Sequence, residues 1–118
     1  MLLGELPFGT FEEVEPKVME ITINQGVQVS EKNIEEIEQG LLEKYQDKYA
    51  LLINRKNAYS HGHESLARIG ELKNVSAIAI LVYSEPSLMA AKIHLVYSNN
   101  VQIFTNRNAA INWLRNCQ

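Results

Sequence analysis

Two nearly uninterrupted apolar runs, Tyr49-Ala-Leu-Leu-Ile-Asn54 and Val75-Ser-Ala-Ile-Ala-Ile-Leu-Val-Tyr83, constrain this chain more than any other feature. Neither alternates polar with apolar residues, so neither suits a sheet with one face in water. Runs of this kind belong to parallel strands covered by helices on both faces. Both are far shorter than the roughly 20 apolar residues that span a bilayer as a helix, so no integral membrane segment is expected. The 118 residues fit one domain, 1–118. A chain of that size buries about two-thirds of its unfolded surface and needs neither disulfide nor metal to hold a core.

The segments around these runs supply the helices. Ile34, Ile37, Leu41, Leu42 and Tyr45 form one apolar stripe, which predicts a helix over Glu31–Lys48 with Ser30 as its N-cap. Before it, Phe11–Glu15 and Val18–Ile23 read as a β-hairpin turning at Pro16-Lys17, with Met19, Ile21 and Ile23 sharing a face. After the first run, Glu64–Leu72 is a short helix burying Leu66, Ile69 and Leu72, and Ser60 is the simplest N-cap for it. Ser84-Glu-Pro-Ser opens a third helix, since proline is tolerated where the amide lacks an intrahelical partner. That helix is expected to run to Tyr97 along the stripe Met89, Ile93 and Val96. Val101–Phe104 is a last strand. Thr105 or Asn106 then caps a helix to Arg115, docked by Ala110, Trp113 and Leu114. The order is ββαβαβαβα: an α/β fold with a mixed sheet, an N-terminal hairpin and four helices.

Composition narrows the function classes. Eleven Lys+Arg against 14 Asp+Glu give a formal charge of −3, which supplies no basic field for a nucleic acid. The first residues, MLLGELPFGT, lack a basic start and an apolar stretch long enough for a leader. The single cysteine, Cys117, cannot form an internal disulfide and fits a reducing compartment. A cytoplasmic protein is the expectation, and the composition is compatible with a homodimer.

Three segments carry a family resemblance across Phe11 to Leu114. They are Gly26-Val-Gln-Val-Ser-Glu-Lys-Asn-Ile34, Tyr49–Asn54, and Val101-Gln-Ile-Phe-Thr-Asn-Arg-Asn-Ala-Ala-Ile-Asn-Trp-Leu114. Together they resemble the STAS domain fold, and within it the small bacterial SpoIIAA-like proteins, which act as anti-sigma factor antagonists. The resemblance implies a non-enzymatic module that binds a protein partner under control of a phosphorylated Ser or Thr. That residue lies in an Asp-Ser-Ser-Gly type motif at the start of the second helix. The nearest stretch here is Tyr59-Ser60-His61-Gly62. Aligned on the glycine, the switch position falls on His61, Tyr59 replaces the aspartate, and Ser60 is one residue away. The branch is also similar to lipid-transfer domains of the CRAL-TRIO type, which implies a small apolar ligand as an alternative.

The residues themselves point to the same loop. In open α/β sheets, ligands and partners meet the carboxyl ends of the strands. Asn54, Arg55, Tyr59, Ser60, His61 and His63 lie there and form the expected partner or ligand edge, while Tyr83–Pro86 joins them from the next strand. Ser60 and His61 are the candidate phospho-switch positions. His61, His63 and Glu64 invite a metal, but their spacing matches no metal signature, and no metal or cofactor is expected. Ser60 with His61 or His63 lacks a nucleophile elbow, so no catalytic residue is assigned. His94, among apolar residues, reads as a satisfied structural histidine. The expected function is a small non-enzymatic regulatory or protein-interaction module, with a carrier of a small apolar or anionic ligand as the alternative.

Overall fold

Both apolar runs become central parallel strands of a six-stranded sheet. A computed structural model describes residues 4–117; residues 1–3 and 118, which the single-domain reading includes, lie outside the described residues. In chain order the strands are β1 (Glu5–Leu6), β2 (Gly9–Glu15), β3 (Val18–Ile23), β4 (Gln28–Val29), β5 (Tyr49–Asn54), β6 (Ser60–His61), β7 (Val75–Leu81) and β8 (Val101–Phe104). The helices are α1 (Glu31–Lys44), α2 (His63–Ile69), α3 (Glu85–Lys92), α4 (His94–Tyr97) and α5 (Arg107–Asn116). The sheet order is β1-β2-β3-β5-β7-β8, antiparallel through β3 and parallel from there on. β4 and β6 pair in a separate two-stranded parallel ribbon.

The hairpin turns where the sequence places it. Lys17 takes φ 65°, the left-handed value that the third position of a type II turn requires after Pro16. Three helices are capped as their sequences predict, α5 by Asn106, whose side-chain oxygen accepts from the Ala109 amide at 2.9 Å. Ser30 accepts from the Asn33 amide at 3.1 Å while the Asn33 side chain accepts from the Ser30 amide at 2.9 Å, a reciprocal capping box. Ser84 and Ser87 form a second such box with Pro86 in the first turn of α3.

Size, rather than polarity, alternates along the central strands. Leu51, Ile53, Ile78 and Ile80 face α1 and α2, where Ile34, Ile37, Leu41 and Ile69 cover them. Ala50, Ala77 and Ala79 face the other way with Leu52 and Leu81, and Ala110 and Leu114 of α5 settle onto them. The small alanines let α5 approach closely. Trp113 is half-buried against Phe104, with ring centroids 5.6 Å apart.

Several boundaries differ from expectation. α1 ends at Lys44 rather than Lys48, because Tyr45 leaves the helix to stack on Tyr49 at 5.5 Å and to donate its hydroxyl to Glu13 Oε2 at 2.5 Å. α2 is His63–Ile69, and Gly62 rather than Ser60 is its N-cap, because Ser60 is held in β6 by its amide bond to the Val27 carbonyl at 3.0 Å. The third helical stretch breaks at Ile93 into α3 and α4. No helix among the described residues is long and apolar enough to cross a membrane.

Candidate functional site

The carboxyl ends of β5 and β7 bring the segment after Asn54 beside the start of α3. Strand alternation sends Asn54 and Arg55 to opposite sides. The Asn54 amide donates to Glu20 Oε2 at 2.8 Å, and its oxygen accepts from the Lys56 amide at 3.0 Å. Arg107 of α5 grips Glu20 through Nη1 at 2.7 Å and Nη2 at 2.6 Å. The Arg107 bonds, reinforced by Asn54, hold the Glu20 carboxyl below its ordinary value in spite of its burial. Asn54 thus ties the carboxyl end of β5 to Glu20 and, through Glu20, to Arg107 on the α5 side of the sheet.

Arg55 turns the other way and is only 6% exposed. Its guanidinium lies 4.2 Å above the Tyr59 ring, and Nη2 donates to the Tyr59 carbonyl at 3.3 Å. Nε is buried without a hydrogen-bond partner, and no carboxylate pairs with this guanidinium among the described residues. The loop around it is tied down. Asn57 donates to the Ile23 carbonyl at 3.0 Å, the Ala58 amide to Gln25 Oε1 at 2.8 Å, and the Gly26 amide to the Ala58 carbonyl at 2.7 Å. Gly26 makes that last approach with φ 79°, a value open to glycine.

The histidines part company. His61 points inward, its ring centroid 5.3 Å from that of His94 and perpendicular to it. His61 Nδ1 sits 3.1 Å from Ser65 Oγ, whose own proton goes to the Gly62 carbonyl at 3.0 Å. This network places the imidazole proton on Nδ1 and leaves Nε2 as the acceptor. Burial first, then the charges of His94 and Arg55, pushes His61 down to about 3. Burial and then Arg55 push His94 down to about 4. Both rings are neutral at physiological pH, and Arg55 is the cation of the cluster. His94 is 1% exposed, as a structural histidine should be, but it is not satisfied: neither ring nitrogen finds a partner among the described residues.

His63, by contrast, is exposed at the start of α2, with Nδ1 2.8 Å from the Tyr97 hydroxyl. The two rings thus turn to different partners although both residues border one recess, and among the described residues no group of three His, Cys, Asp or Glu side chains converges to hold a metal. Ser60 is exposed on β6. The serine that meets a histidine is Ser65, buried at 1% exposure. No sequence pattern singles it out, since the contact needs the turn at Gly62.

Two recesses flank Arg55. One, of about 240 Å³, lies between Lys56 and Asn57 on one side and Ser84 and Ser87 on the other. The second, of about 390 Å³, is bounded by Ser60, His61, Leu66 and Ile93. Arg55, Tyr59 and Ala90 border both, and no Asp or Glu lines either. Tyr59 and His61 also wall off an inner cavity of about 30 Å³ beneath α1 and α2, which no residue of α3 or α4 lines.

The third helical stretch presents the reverse of its expected face. Ala91 and His94 are buried and Leu88 half-buried, whereas Met89 is 63% and Val96 75% exposed, with Ile93 and Leu95 beside them. Both stripes have helical spacing. Ala91 is small enough to bring the helix close to the sheet, and that contact selects the inner face.

A mixed sheet led by a hairpin, covered by helices on both faces and open at its carboxyl edge, defines the SpoIIAA-like class of α/β folds, as the segments around Gly26, Tyr49 and Val101 imply. A solved structure with this architecture is an uncharacterized protein from the DUF3478 family with a SpoIIAA-like fold, from Shewanella loihica. It superimposes with a TM-score of 0.60 and 13% sequence identity, over 90% of this chain and 91% of that one. The likeness is one of fold. No family model matches the sequence, and no curated protein matches it.

Proposed function

We propose that this protein is a non-enzymatic regulatory module of the cytoplasm that docks a protein partner on α3–α4 and the adjoining Arg55–His63 edge. The observation that carries this reading is the outward stripe of Met89, Ile93 and Val96. Exposed apolar side chains clustered beside a polar rim are characteristic of interaction surfaces. Ser60, exposed at that rim, is the accessible switch position, whereas the ring of His61 is packed onto His94. A phosphate on Ser60 would add about −1.5 to −2 charges beside the stripe and change which partners it accepts. The alternative of an apolar ligand held between the sheet and the helices has less support: the inner cavity beneath α1 and α2, about 30 Å³, holds little more than a water molecule, and the two recesses at Arg55 that reach α3 carry its positive charge.

The test is affinity capture from a lysate of the source cells with the wild-type chain and with the Met89→Ser/Val96→Ser double variant. A partner retained by the wild type and lost by the folded variant supports the assignment. Equal retention by both refutes it. If the partner is a second copy, the wild type sediments as a concentration-dependent dimer and the variant as a monomer.

A further inference from the structure

We propose that the groove between the Arg55–His63 segment and α3 is a binding site for an oxyanion, a phosphate or a carboxylate, gripped by the Arg55 guanidinium. The groove lies along the Arg55–His63 edge that the proposed docking surface also includes, but the anion site goes beyond that reading and does not depend on a protein partner binding there.

A buried charge without a counter-charge is costly, and proteins ordinarily pair it. Arg55 is buried, yet no carboxylate meets it among the described residues of a chain that has 14 Asp+Glu. Both recesses that reach it are free of acids, and Lys56 adds a second positive charge to one of them. Stacking on Tyr59 and the bond from Nη2 to the Tyr59 carbonyl fix the plane of the guanidinium without neutralising it. A guanidinium held in this way is oriented in advance to meet an oxyanion with its remaining N–H donors. His61 lines the larger recess as a neutral ring, so the local charge is that of the arginine. The exposed Ser60 borders the larger recess, whereas beside the smaller one the Ser84 hydroxyl donates to that of Ser87, which donates to the Ser84 carbonyl in the cap of α3.

The experiment titrates the full-length ¹⁵N-labelled chain with sodium phosphate and, separately, sodium acetate. Sodium chloride at matched ionic strength is the control. The Arg55 Nε–Hε resonance is expected to move saturably in the low millimolar range with phosphate, acetate or both, and not with chloride. Phosphate alone assigns a phosphate head group and acetate alone a carboxylate; both outcomes support the site. Arg55→Met, confirmed as folded by its backbone spectrum, is expected to weaken binding by at least about tenfold, with Arg55→Lys intermediate because it keeps charge but loses the fork. If Arg55→Met does not fold, the wild-type resonance decides alone. The proposal is overturned if neither anion moves that resonance beyond the chloride control, or if the folded Arg55→Met chain binds with unchanged Kd.

Discussion

Lowering the pH from 7 to 5 should cost this protein several kcal/mol of stability through two buried histidines. In the unfolded chain, His61 and His94 titrate near their ordinary value of about 6.5. In the fold, burial lowers them to about 3 and about 4. Their folded values are depressed, so their contribution is complete above about pH 6.5 and is lost as the pH falls through the window down to those values. Each pH unit of unequal proton binding is worth about 1.4 kcal/mol per group. Integrated from pH 7 to 5, this gives roughly 2 kcal/mol for each ring and roughly 4 for the pair. The carboxylates of Glu13, Glu20 and Glu38, whose values are lowered from 4.5, lose their contribution mainly below this interval. Urea unfolding followed by circular dichroism at both pH values measures the difference. His94→Leu is the companion variant. It replaces two unpartnered ring nitrogens by apolar atoms, so it should stabilise the protein at pH 7 by about 1–3 kcal/mol and halve the loss at pH 5. A wild-type loss under about 1 kcal/mol, or an unchanged pH dependence in His94→Leu, would refute the reasoning.

Two further substitutions test the packing that positions the site. Leu41, with no exposed surface, lies between α1 and the sheet; Leu41→Ala should destabilise by about 2–5 kcal/mol in the same assay, and a loss below about 1 would mean that the face is looser than described. Gly70 ends α2 against α4, where an added Cβ would collide with the Tyr97 carbonyl. Gly70→Ala should therefore lower stability by about 1–3 kcal/mol although alanine is the better helix former; a stabilised variant would disprove the close α2–α4 contact.

Local pattern was enough for the frame. Tyr49–Asn54 and Val75–Leu81 are apolar on both faces, which leaves a central position in a covered sheet as their only stable setting. The caps at Ser30 and Ser84 are equally local, because each needs only a side chain and an amide three residues on. The exposure of Ser60 and the burial of Arg55 are not local in this sense. Adjacent loop residues carry no periodic signal, and their orientation follows from the β4–β6 ribbon and the Tyr59 stack. The third helix shows the limit most clearly. Hydrophobicity favours Met89, Ile93 and Val96 as the inner stripe, and Leu88, Ala91 and His94 fit the same period less well by composition. Sequence thus determined that a helix forms after β7 and where it starts. Only the tertiary structure decided which face turns inward, because the close approach permitted by Ala91 and the meeting of His94 with His61 depend on residues far apart in the chain.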